Sequence, residues 1–142
     1  MSKANLPENT VHRFNIIDSQ ILLGLSYADK GADISCLDLI ASCAAINHSI
    51  PTQPEFTEAF NKFLYMRAIN LDNDKLSLAD FGGEIINNAR SRANTTLQPV
   101  ELMQLVLKEL SGYKLKSMCN RSLWTQEQYQ RAVDSHRNNS RL

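Results

Sequence analysis

The chain has 142 residues, 43% of them hydrophobic and 21% charged, and its 15 Lys or Arg balance 15 Asp or Glu. A chain of this length suits one domain and buries about two-thirds of its unfolded surface, so it needs no metal or disulfide staple, and its composition is far from that of disordered chains. No stretch approaches the ~18 uninterrupted apolar residues of a membrane span, and the first residues lack a secretory pattern, so a cytoplasmic protein with no membrane partner is expected.

Residues 1–12 are polar, contain Pro7 and show no period, which predicts a loose arm. Asp18 is a candidate cap for a first helix ending near Gly31, with Ile17, Ile21, Leu25 and Ala28 on one face. Ile16, Leu23 and Tyr27 fall on nearly the opposite face. This helix is therefore expected to be covered twice, its second cover being either the C-terminal half of the chain or a second subunit. Ser35 with Asp38 opens a second helix, Cys36 to Ile46, and Pro51 biases Ile50 away from helical angles, so a break follows. Thr52, Pro54 and Glu55 form a capping box for a third helix, Gln53 to Met66, with an apolar stripe of Phe56, Ala59, Phe60, Phe63 and Leu64. Ile69 and Leu71, then Leu76 and Leu78, alternate with polar residues on either side of Asp72-Asn73-Asp74-Lys75, the pattern of a two-stranded hairpin.

Asp80 is the expected cap of a fourth helix, Phe81 to Ala93. Leu97 and Leu102 bracket Gln98 and Pro99 as a hydrophobic staple around a fifth helix start, and that helix stops at Gly112. A basic connector, Lys114 to Arg121, leads to Trp124, placed to anchor a last helix capped by Thr125 with Gln128, and residues 137–142 are expected to fray. The expected fold is thus mainly α in a single domain, with strand pairing confined to residues 68–79.

Helix, break, helix, hairpin, helix over residues 13–93 resembles the winged helix-turn-helix family, and residues 94–136 would then be a C-terminal helical extension. Leu76 through Gly82 is similar to the Leu-Thr-x-x-Gly run that often leaves the second wing strand in bacterial regulators. The resemblance implies DNA binding through the third helix and the wing. With the apolar stripe turned inward, the outward residues of that helix would be Glu55, Glu58, Asn61, Lys62 and Tyr65, and Asn73 and Lys75 would sit on the wing tip. That face is net negative, whereas neutralising phosphates supplies most of the affinity for duplex DNA. The whole of residues 1–83 carries six basic and ten acidic side chains, while residues 112–142 carry six basic and two acidic, among them the candidate basic patch Lys114, Lys116 and Arg121. The reading that follows is a non-enzymatic interaction module with a protein partner, either another protein or a second copy in a homodimer. A DNA-binding regulator is the alternative, and a small protein with an unrecognised pocket a third reading.

No metal or cofactor is expected. Cys36, Cys43 and Cys119 lack zinc-binding spacing, and Asp72-Asn73-Asp74 lacks the glycine and glutamate of a calcium loop. Gly82-Gly83 lacks the following Gly-Lys-Ser or Gly-Lys-Thr of a phosphate loop. His48 stands beside Asn47 and Ser49 without a nucleophile motif or a third orienting group, so no catalytic residue is assigned.

Overall fold

The computed structural model describes residues 11–31, 33–93 and 95–140, the side chain of Ser140 excepted. Its elements in chain order are α1 (Ile16–Ala28), α2 (Cys36–Asn47), α3 (Gln53–Tyr65), β1 (Ile69–Asp72), β2 (Lys75–Leu78), α4 (Asp80–Ser91), α5 (Pro99–Leu110) and α6 (Gln126–Ser140). The protein is mainly helical with one small antiparallel hairpin.

The fold is built around α1. Every residue from Asp18 to Leu25 is buried, because α2, α3, α4 and α5 all pack against this helix. A helix apolar on more than one side belongs in a core, and the two-faced pattern of α1 is the sequence form of that position. Gly24 lets α2 come close: a Cβ there would lie 2.8 Å from Cys43 Sγ and 3.2 Å from Leu39 Cδ1. Leu23 is fully buried within the one chain, which answers the question of its cover, whereas Ile16 (36% exposed) and Tyr27 (40%) stay at the surface. The expected face of Ile16, Leu23 and Tyr27 is therefore not one continuous packing surface.

Helix starts follow their caps. Thr52 and Glu55 close the box on α3, Ser35 accepts from the Asp38 amide, and Thr125 and Gln128 bond reciprocally before α6. The start of α1 differs from expectation: Asn15 is the cap and Asp18 is its box partner, each accepting the other's amide at 2.9 Å. An asparagine caps as well as an aspartate, and Asn15 lies three residues upstream, where the reciprocal bond can form. The helix ends at Ala28, short of Gly31, whose left-handed φ of 77° serves the bend beyond it. Asp80 lies inside α4, whose cap position is Ala79 with no side-chain bond, and α4 stops at Ser91 rather than Ala93. Residues 137–140 continue α6 instead of fraying. The arm's first ten residues and the last two of the tail lie outside the described residues.

Asn73 and Asp74 both have left-handed φ (50° and 62°), which closes the two-residue hairpin turn with Asp72 paired to Lys75. Pairing also extends beyond the expected hairpin. The Ile34 amide donates to Leu76 O at 2.8 Å, and the Leu76 amide donates to Asp33 Oδ1 at 3.1 Å, so the segment before α2 borders the free side of β2. His12 and Leu115 form an isolated antiparallel bridge that pins the end of the arm to the connector after α5. At the hairpin's exit the Ala68 carbonyl accepts from the Ala79 amide, and a Cβ on Gly82 would fall 2.2 Å from that oxygen. Only glycine fits where α4 meets the hairpin.

Candidate interaction face on the third helix

Phe56, Ala59, Phe60 and Phe63 hold α3 to the core, and Phe63 stacks on Phe14 with ring centroids 5.5 Å apart. Of the five residues expected to face outward, Glu58 and Tyr65 are exposed, Glu55 is partly so, and Asn61 and Lys62 are buried (4% and 2% exposed). That overturns the outward assignment of Asn61 and Lys62. The apolar stripe holds the helix from one side only, and two other segments close over its flanks.

Lys62 points to the start of α1. Its Nζ donates to Asp18 Oδ2 at 2.8 Å and to Arg13 O at 2.9 Å, lies 3.4 Å from the exposed carboxylate of Glu58, and sits 5.7 Å from the centre of the Phe14 ring. A buried ammonium requires such partners, and the carboxylate next to it removes the charge that a phosphate would need. Burial holds the Asp18 carboxyl above its ordinary range, while the hydrogen bond from Lys62 and the amide of Asn15 pull it back.

Asn61 points to the connector. Its Nδ2 donates to Arg121 O at 3.0 Å, its Oδ1 accepts from the Arg121 amide at 2.8 Å, and its own carbonyl accepts from the Cys119 amide at 3.0 Å. The side-chain amide thus pairs with both backbone groups of Arg121, as a neighbouring strand would. Beside it Trp124 stands edge-on to Phe60 (5.2 Å) and Phe56 (5.8 Å), its carbonyl accepts from Gln53 Nε2 at 2.8 Å, and the Tyr129 hydroxyl donates to Pro51 O. The connector from Met118 to Trp124 therefore covers one side of α3. Trp124 anchors α6, as its position before the cap implies, and it does so on α3; the polar contacts of Gln53 and Asn61 have no local signature in the sequence.

Also exposed are Tyr65, Arg67, Asn70 and the hairpin tip, Asp72 to Lys75, including Asn73. Arg67 follows α3 in the left-handed conformation (φ 64°) within a paired turn, its amide donating to Leu64 O and the Ala68 amide to Phe63 O. Glycine is the usual residue there, so an arginine at this position is strained. Lys114, Lys116 and Arg121 are all exposed on the connector. Arg13, Lys114 and Lys116 flank the His12–Leu115 bridge in sequence, and all three are exposed.

His48 caps α2 in the left-handed conformation (φ 55°) and lines a groove of about 730 Å³ together with His136 and Arg137 of α6; no carboxylate is among the lining residues. Burial pushes the Cys36 thiol up to about 12 and that of Cys43 higher still, so neither supplies a thiolate at neutral pH. Among the described residues no group of three His, Cys, Asp or Glu is placed to hold a metal ion, and no helix is long and apolar enough to cross a membrane. The sequence matches no family model, no curated protein and no solved structure.

Proposed function

We propose that this chain is a non-enzymatic interaction module on a winged-helix-like frame, and that its partner is a protein rather than duplex DNA. The frame is supported by the element order and by the Ile34 segment, which lies beside β2 as the short first strand of a winged helix does. The observation that carries the choice of partner is the closure of α3. Asn61 and Lys62, the two residues of that helix suited to reading base edges, are committed to the connector and to Asp18. What α3 and the wing leave accessible is Glu58, Tyr65 and Arg67, then Asp72, Asn73, Asp74 and Lys75, a mixed surface with an aromatic residue that suits a protein contact better than a polyanion. A second copy of the chain is one such protein.

The DNA-binding reading keeps one specific support, the exposed Arg13, Lys114 and Lys116 next to the bridging residues His12 and Leu115. Titration with mixed-sequence duplex DNA at ~50 and ~200 mM salt separates the two, because phosphate neutralisation makes affinity fall steeply with salt. Weak, unsaturated binding at both concentrations is expected. Tight binding at the lower salt that collapses at the higher, and that a Lys114→Ala/Lys116→Ala variant loses, would replace the protein reading with the DNA one.

A further inference from the structure

The groove between α2 and α6 lies apart from α3 and the wing, and its lining divides by chemistry. Ala41, Ala44 and Ala45 of α2 with Ile50 form an apolar floor, and His48, His136 and Arg137 bring nitrogen to its rim. The space exists because α2 presents alanines where larger side chains would meet α6, and its volume of about 730 Å³ lies within the range of small-molecule sites. Among the described residues Arg137 carries the only fixed charge in the lining. Its fork of donors matches a carboxylate bidentately, and the His48 imidazole on the same rim can donate to the same anion.

The wall that carries His48 is held from two directions. Gln20 Nε2 reaches from the core to Ser49 O at 3.0 Å, and the Tyr129 hydroxyl holds Pro51 O at 2.6 Å. Between the helix and these anchors His48 keeps its left-handed cap, its amide donating to Ala44 O at 2.8 Å. Strain of that kind on a non-glycine residue persists where the surroundings hold it, and it fixes where the imidazole starts.

We infer that this groove binds a small carboxylate with an apolar body, the carboxylate meeting Arg137 and His48, and the body lying on the alanine floor. The proposal does not depend on the protein-partner reading, because it uses another face of the molecule. Full-length protein, isotope-labelled for NMR, is titrated with 4-phenylbutyrate, 4-phenyl-1-butanol and inorganic phosphate while the imidazole signals of His48 and His136 and the amides of Ala45 and Arg137 are followed. Saturable shifts at all four sites with the carboxylate are expected, with affinity at least about tenfold above that for the alcohol or for phosphate. Arg137→Gln should weaken the carboxylate about tenfold and leave the alcohol unaffected, and Ala45→Leu, at an exposed position on the floor, should abolish saturation without unfolding the chain. Equal binding of alcohol and carboxylate would remove the anion from the proposal, and equal binding of phosphate would remove the apolar body; either overturns it. So does a lack of saturation with all three probes, or a carboxylate that binds both variants as it binds the parent.

Discussion

Asn61 and Lys62 are consecutive residues of α3, both buried and both polar, but they are buried by different regions of the protein. Lys62 is held by the start of α1 through charge, with Asp18 at 2.8 Å and both side chains 3% exposed. Asn61 is held by the connector through uncharged bonds to the backbone N–H and C=O of one residue, Arg121, which is exposed. Breaking the first contact strands a charge away from water, whereas breaking the second leaves groups that water can reach. The two sides of one helix thus have different tolerance: the α1 side is fixed with the core, and the connector side is attached to it.

The largest effect should come from the charged side. Lys62→Ala leaves Asp18 buried without its ammonium and should destabilise by roughly 3–5 kcal/mol in urea unfolding. The pH dependence has a definite sign. The folded pKa of Asp18 is already raised by burial, and removing Lys62 leaves only the Asn15 amide to lower it, so it rises further while the unfolded value is unchanged. A carboxyl with a raised folded pKa favours folding fully below its unfolded value and loses that contribution as pH climbs through the folded one. The deficit of Lys62→Ala should therefore be smallest in acid and grow toward neutrality; a deficit independent of pH would mean that Asp18 is not its cause.

On the connector side Trp124→Ala should cost about 2 kcal/mol, less than a core tryptophan because the indole is only half buried. It should also detach α6 from α3, read as loss of the Tyr129 signal shift caused by its neighbours. A cost equal to that of Lys62→Ala would erase the contrast between the two sides.

The smallest change is expected at the end of α3. Arg67→Gly relieves the left-handed strain and should stabilise by about 1 kcal/mol or less. A loss of stability there would show that the Arg67 side chain has a structural partner and is not held for the exposed face.

Much of this fold is legible in the sequence because its signals are local. The capping boxes at Thr52 and Thr125, the break at Pro51 and the hairpin turn each need only a few adjacent residues, and each forms where the pattern places it. The double face of α1 is legible only in part: Leu23 is buried as it implies, while Ile16 and Tyr27 stay at the surface. The candidate face was less legible. Helical spacing locates the apolar stripe of α3 but is silent on what covers the flanks, and the partners of Asn61 and Lys62 lie 60 and 44 residues away in sequence. A lysine beside a phenylalanine stripe looks the same whether a distant aspartate awaits it or solvent does. The start of α1 failed for a different reason: Asn15 and Asp18 are both good caps, and only the reciprocal bond decides between them.

The closure of α3 by the connector is tested most directly by amide hydrogen exchange at Cys119 and Arg121. Both amides lie outside helix and strand, and both donate to Asn61, to its backbone carbonyl and its side-chain oxygen respectively. The account predicts that these two amides exchange more than about tenfold slower than an unstructured chain, and that Asn61→Ala, costing about 1 kcal/mol overall, releases Arg121 selectively. Exchange at the unstructured rate at both positions in the parent protein would contradict it, and would return the outer side of α3 to solvent and to the DNA-binding reading.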